Sequence, residues 1–326
     1  MKLLLDSLLN KVAPVADILL TPFVYISAIL LLGIRRLGIH RLPYCKKSLL
    51  KVGIFPIRNH YYEPLFDIRN LRKSLRINRD LPGIDWNVKE QIDILDRFKY
   101  NDEFSDILST KTDDLSFYWG NGAFESGDAE YWYNIIRSIK PRLIIEVGSG
   151  YSTRMAIKAI RKNRNENPEY ECKHICIEPY ENPWLESLGV FVIREKVENV
   201  DKGIFKTLEE NDILFIDSSH MIRPQGDVLF EYLEILPILN KGVIVHIHDI
   251  FSPKDYLDEW IINEACFWNE QYLLEAFLTS NESWKIIGAL NYLHHNHYDK
   301  LKEKCPKLIP DREPGSFYIK KESSVK

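Results

Sequence analysis

From about residue 128 the chain alternates short apolar runs with stretches of helical spacing. The runs "RLIIEV" (142–147), "KHICIEP" (173–179), "VFVIRE" (190–195), "NDILFIDSSH" (211–220) and "KGVIVHIHDI" (241–250) read as five buried strands. "DAEYWYNIIRSI" (128–139), with Asp128 as candidate N-cap, "RMAIKAIRKN" (154–163) and "DVLFEYLEILPILN" (227–240) read as helices, and a long helix is expected around 256–278. "WKIIGAL" (284–290) and "SFYIK" (316–320) are two final strands; no helix-length pattern separates them, so antiparallel pairing is open to them. The alternation predicts an α/β fold with a parallel sheet covered on both faces.

The N-terminus follows another pattern. "VAPVADILLTPFVYISAILLLGI" (12–34) carries one charge, Asp17, and nothing charged from Ile18 to Ile34. That length reaches the short limit for crossing a bilayer. Pro22 is expected to kink a helix there, which membranes tolerate. Arg35, Arg36, Arg41, Lys46, Lys47 and Lys51 follow, against Lys2, Asp6 and Lys11 on the other side. The basic excess places the bulk of the chain in the cytoplasm. The stretch is read as membrane-embedded, spanning or re-entrant, with a buried or interfacial hairpin as the alternative. A cleaved signal peptide is disfavoured because the basic cluster comes after the apolar run.

Three segments follow: a membrane-associated segment (1–50), an extension that covers the acceptor side (51–125), and the regular α/β domain (126–326). The extension holds the turn-rich, aromatic "FPIRNHYYEPLFD" and "RDLPGIDWN" and a helical "VKEQIDILDRF" (88–98). "HYYEP" (60–64) reads equally as an acceptor-facing or a core-anchoring loop.

Apolar residues make up 45% of the 326, enough for a large core, and the net charge of −4 argues against a nucleic-acid partner. Five scattered cysteines fit reduced thiols in a cytosolic compartment rather than a disulfide framework. Nothing in the sequence sets an oligomeric state.

Chemistry collects where strands end: Glu146, Glu178, Asp217, His248 and Asp249. In open α/β sheets the ligand crevice lies outside those carboxyl ends. The first strand runs into "EVGSGYST", with Gly148 and Gly150 letting backbone approach a ligand closely. A dinucleotide loop would have a third glycine where Thr153 stands. S-adenosylmethionine has no phosphate to cradle, and a carboxylate at the end of the second strand, Glu178, can hold ribose hydroxyls.

"IIEVGSGYST", "CIEP", "ILFIDSSH" and "GVIVHIHDI", in that order, resemble the class I S-adenosylmethionine-dependent methyltransferases, over about residues 120–320. The resemblance is narrower still to a bacterial branch similar to macrocin-type sugar O-methyltransferases and cephalosporin-hydroxylase-like proteins. It implies a Rossmann-like seven-stranded, mostly parallel sheet with the last strand antiparallel, the apolar helical segment lying in front. It also implies that Glu146, Gly148, Ser149 and Gly150 contact the methionine part, Glu178 the ribose, Glu198 and Asn199 the adenine. Asp217 and His220 would border the methyl donor, and "FESGDAEYW" (124–132) would cover the cofactor.

Methylating an alcohol requires an in-line acceptor and removal of its proton. His220 and His248, beside Asp217, are the candidate bases. The resemblance offers a divalent metal instead, held by Asp217 and Asp249. His248 stands where the family can carry a carboxylate, and imidazole suits transition metals better than magnesium. His246 reads as a packed, hydrogen-bonded core residue and "HHNH" (294–297) as a solvated loop. The leading expectation is an O-methyltransferase acting on a small-molecule or glycan acceptor, with no nucleic-acid partner, at the cytoplasmic membrane face. The alternatives are an NAD-dependent oxidoreductase, an iron-dependent hydroxylase-like enzyme and a non-catalytic membrane scaffold.

Overall fold

The computed structural model describes residues 2–180 and 182–323; of residues 2–11 the backbone alone is described. The charges of Lys2, Asp6 and Lys11 therefore lie outside the described side chains, and 324–326 outside the described residues. The chain forms two compact units, Met1–Arg72 and Lys73–Lys326, so the division falls inside the stretch 51–125.

In the first unit, helix α1 (Lys2–Leu37) runs unbroken through Pro14 and Pro22. Its segment Val12–Leu37 has a mean hydropathy of 2.2, long and apolar enough to cross a membrane, and none of its most apolar stretch is buried. A helix apolar on all sides belongs in a core or a bilayer, not in water. Helix α2 (Pro43–Val52) follows and ends on left-handed Gly53. In the 55–67 loop, Glu63 is the anchor: it accepts from Arg35 Nη2 and Arg58 Nε, both at 2.7 Å. Tyr61 and Tyr62 are exposed.

The second unit is built on seven strands: β1 (Leu143–Val147), β2 (Lys173–Ile177), β3 (Phe191–Ile193), β4 (Ile213–Ile216), β5 (Ile244–Ile247), β6 (Trp284–Ala289) and β7 (Phe317–Lys321). Their order is β3-β2-β1-β4-β5-β7-β6. Pairs among the first five are parallel, and β7 lies antiparallel to both β5 and β6. Strands β1, β4 and β5 are buried at every position, as central parallel strands covered on two faces must be. One core lies on the side of Trp132, Ile136, Met155 and Phe215, the other on the side of Ile145, Ile177, Leu214 and Ile247. Residues 73–125 belong to this unit: α3 (Val88–Asp96) packs through Ile94 and Leu95, and Phe98, Phe104, Phe117, Trp119 and Phe124 join the first core.

Four local expectations change. The residue before α4 (Asp128–Ile139) is Gly127, with a φ of 90°; Glu130 accepts the Gly127 N–H, while Asp128 accepts the N–H of Ser316 at 2.7 Å. The long helix expected around 256–278 is broken into a π-helical turn, Glu259–Asn263, and α7 (Glu270–Leu278), after α6 (Asp227–Phe230). The break arises because the N–H groups of Asn269 and Glu270 bond the His220 carbonyl, an interaction no local spacing reveals. "HHNH" is not a loop: Leu290 and Leu293 bury one face of α8 (Leu290–Asn296), which precedes α9 (Tyr298–Lys304). His294 is buried with Nε2 3.0 Å from the Pro310 carbonyl oxygen. His246 is packed as expected, stacked 4.1 Å from Tyr318, but neither ring nitrogen has a hydrogen-bond partner among the described residues, and burial pushes its pKa well down.

Candidate active site

The order of the strands reverses between β1 and β4, and a crevice opens there at their carboxyl ends. The loop from β1 into α5 (Tyr151–Glu166) passes tight against β4. Gly148 has a φ of 76°, and a Cβ on it would sit 2.0 Å from the Asp217 carbonyl oxygen. Only glycine fits on both counts.

Beneath the loop, Glu146 is fully buried and turned inward. Its carboxylate accepts from the Ser152 hydroxyl, from Thr153 Oγ1 at 2.8 Å and pairs with His174 Nε2 at 2.9 Å. Cys176 Sγ lies 3.7 Å away. Burial pulls the His174 pKa down, but Cys176 and Glu146 beside it raise it to about 10. Thr153 also accepts the Gly150 N–H at 3.0 Å. Thr153 is thus the clasp of the loop, which explains the residue found where a dinucleotide loop has its third glycine. Glu146 acts as the brace under the loop.

A cleft of about 560 Å³ opens above it. Ser149, Gly150, Tyr151, Ser152 and Arg154 form one wall; Asp217, His248, Asp249 and Trp260 form another. Phe124 contributes from the segment before α4, 5.2 Å from the His248 ring. Glu178 follows β2 and its Oε1 accepts the Tyr180 N–H at 3.0 Å. Glu198 and Asn199 lie in the turn Val197–Asn199, where the Asn199 amide donates to Glu195. These three stand outside the lining of this cleft.

The acidic wall is a cluster. His220 Nε2 lies 3.3 Å from Asp217 Oδ1 and 3.5 Å from Asp249 Oδ2. His248 Nδ1 lies 3.4 Å from Asp249 and 3.7 Å from Asp217. Burial opposes ionisation of Asp217, yet His248 and His220 hold its carboxyl well below the usual range. Burial lowers and the carboxylates raise both imidazoles, with the carboxylates prevailing: His248 reaches about 9 and His220 lies well above its ordinary value. Burial raises Asp249 against the pull of both histidines.

Ligand atoms of Asp217, His248 and Asp249 all fall within 4.8 Å of one another. Both His248 nitrogens are buried without a hydrogen-bond partner among the described residues. Two carboxylates and an imidazole paired with them only at ion-pair distance fit a divalent cation, with the imidazole favouring a transition metal. Glu146, His174 and Cys176 also converge, but hydroxyl donors already occupy that carboxylate.

Two participants escape the sequence. Glu270, fully buried, lies with Oε2 2.8 Å from His220 Nδ1 and accepts from the Tyr232 hydroxyl at 3.1 Å. It fixes the ring that faces Asp217 and Asp249, yet sits fifty residues from it, |i−j| being 50. Trp260 was hidden in the expected long helix; it stands on the π-helical turn and lines the cleft.

A crevice at the carboxyl ends of the parallel strands, with acids and imidazoles at its floor, is placed to hold a ligand beside groups that can move a proton. A family model described as a methyltransferase domain matches residues 145–250. An uncharacterised protein of Archaeoglobus fulgidus is 32% identical over 173 residues, covering 49% of this chain and 76% of that one. Over residues 145–250 the chain is therefore similar to a methyltransferase domain. Among solved structures, an O-methyltransferase of Bacillus cereus in complex with SAH matches at 11% identity, 70% of this chain and 100% of that one, TM-score 0.38. A chain of Plasmodium falciparum described as a protein-L-isoaspartate O-methyltransferase, in complex with S-adenosyl-L-homocysteine, matches at 14% identity and TM-score 0.26, over 42% of this chain and 66% of that one.

Proposed function

We propose that this enzyme transfers the methyl group of S-adenosylmethionine to a hydroxyl of a sugar, in a glycan or glycolipid, at the cytoplasmic face of a membrane that holds α1. The observation that carries the reading is that Asp217, His248 and Asp249 line one cleft with the glycine loop, with His220 set behind the two carboxylates. The acceptor oxygen attacks the methyl carbon, the C–S bond breaks towards sulfur, and the hydroxyl proton leaves to a base. Asp217, His248 and Asp249 would hold a divalent cation, which when bound supplies Lewis acidity that makes the hydroxyl easier to deprotonate. His220, fixed by Glu270, is set beside the two carboxylates as the proton acceptor once their charge is engaged. Trp260 and Phe124 give the cleft aromatic lining of the kind a sugar packs against.

The membrane reading is supported by the bare apolar helix and by Arg35 and Arg36 in its last turn. The test is transfer of labelled methyl into membrane extracts by the full-length protein, before and after chelation. Label in the lipid or glycan fraction, lost on chelation and restored by a transition metal, is expected. Full turnover of the metal-free enzyme removes the metal from the account.

A further inference from the structure

The first unit has a groove of its own. It holds about 580 Å³ between the last turns of α1 and residues 56–60. One wall is apolar: Ala28, Leu31 and Leu32, which belong to the apolar segment Val12–Leu37. The other end is basic, through Arg35, Arg36, Arg58 and His60. An apolar wall that runs into a cationic end is complementary to an amphiphile with an anionic head.

The chain itself does not balance the charge at that end. No acid stands between Asp17 and Glu63, while seven basic residues run from Arg35 to Arg58. Glu63 accepts from Arg35 Nη2 and Arg58 Nε at 2.7 Å each, and from the Arg58 N–H at 2.9 Å. One carboxylate shared by two guanidiniums leaves a net positive charge before Arg36 is counted. Arg36 is exposed and has no hydrogen bond or ion pair among the described residues. Arg35 Nε is buried without a hydrogen-bond partner among them, and its guanidinium lies 4.9 Å from the centre of the Phe55 ring. Buried donors left unmade are costly, and an accepting oxygen relieves that cost. The arginine fork suits phosphate oxygens two at a time.

The apolar wall decides between free and lipid-borne phosphate, because Leu31 and Leu32 gain nothing from a free ion. Basic residues that end a spanning helix fall at the depth of the headgroups. A chain lying along Ala28, Leu31 and Leu32 then stays in hydrocarbon while its phosphate meets the arginines. Tyr61 and Tyr62, 90% and 84% exposed, follow His60 and carry the amphipathic rings that suit that depth. We propose that this groove binds an anionic phospholipid, its phosphate on Arg36 and Arg58 and one acyl chain along Ala28, Leu31 and Leu32. The site rests on the membrane reading of α1 and is independent of the cofactor cleft.

The test uses full-length protein in detergent micelles mixed with phosphatidylglycerol or with phosphatidylcholine of the same acyl chains. Lipid retained on the protein is counted by native mass spectrometry. Phosphatidylglycerol should be retained at least about fivefold over phosphatidylcholine. Arg36→Gln is expected to cut that retention about fivefold, the scale of one basic residue against an anionic lipid, and Arg36→Lys should keep about half or more. Lys47→Gln, which removes the same charge outside the groove, should change retention by less than about twofold. Equal retention of the two lipids, or wild-type retention by Arg36→Gln, overturns the proposal. Equal losses in Arg36→Gln and Lys47→Gln overturn it too, since they mark diffuse surface attraction. Glycerol 3-phosphate, which has no acyl chain, should not displace the lipid; displacement assigns the site to free phosphate and overturns the lipid assignment. Arg36→Gln should still sediment with membranes, which separates loss of the lipid site from loss of anchoring. If wild type is soluble without detergent, the membrane reading fails and the lipid site with it.

Discussion

At the residue scale, the site depends on carboxylates that work through other groups. Glu146 ties the end of β1, the first turn of α5 and β2 together through Ser152, Thr153 and His174. Removing one side of a buried pair leaves the other uncompensated, so Glu146→Gln is expected to cost about 3 kcal/mol of unfolding free energy, read from urea melts. The pair also gives stability a pH dependence. His174 holds its proton up to about pH 10 when folded, against an ordinary value of 6.5. Its contribution is fully present below 6.5 and is lost as pH rises through about 10, because the unfolded chain gives up its proton first. Urea midpoints should therefore fall across that window in wild type and fall less in His174→Gln. Glu270 acts likewise on His220. Glu270→Gln is expected to lower kcat about 10- to 100-fold, the scale for lost orienting partners, with S-adenosylhomocysteine affinity unchanged; an unaltered kcat contradicts the orienting role.

At the scale of elements, the strands and the loop were legible because their signals are local. Apolar runs gave all seven strands to within a residue or two at most ends, and "EVGSGYST" marked the turn where β1 meets α5. Gly148 is the element's fixed point: Gly148→Ala is expected to abolish the thermal shift given by S-adenosylhomocysteine, since the added Cβ meets the Asp217 carbonyl at 2.0 Å. A retained shift would show that the loop can move away from β4. What failed was decided elsewhere in the fold. The break before α7 follows from two N–H groups turning to the His220 carbonyl, and His294 is buried with its ring on the Pro310 carbonyl and Tyr298. Glu146, expected at the ligand, faces inward because hydroxyls two turns of chain away claim it. The strand-end residues Asp217, His248 and Asp249 were legible by position; Glu270 and Trp260 were not, since only tertiary contacts bring Glu270 to His220 and Trp260 to the cleft.

At the scale of the whole molecule, an apolar helix with no buried face and a catalytic unit with a complete sheet share one chain. The full-length protein is expected in the membrane pellet, resistant to high-salt and carbonate washing and released by detergent. Recovery in the soluble fraction without detergent contradicts the membrane reading while leaving the methyltransferase untouched.

The central claim is that the cleft between the glycine loop and the acid–imidazole cluster moves a methyl group from S-adenosylmethionine to an acceptor hydroxyl. The most direct measurement follows methyl-labelled S-adenosylmethionine into membranes incubated with full-length wild type and with Asp217→Asn, S-adenosylhomocysteine binding being measured for both. The account predicts labelled, base-stable methyl ethers with wild type and loss of at least about 100-fold in rate with the variant, which still binds S-adenosylhomocysteine. No transfer by wild type, or transfer by Asp217→Asn at the wild-type rate, contradicts it.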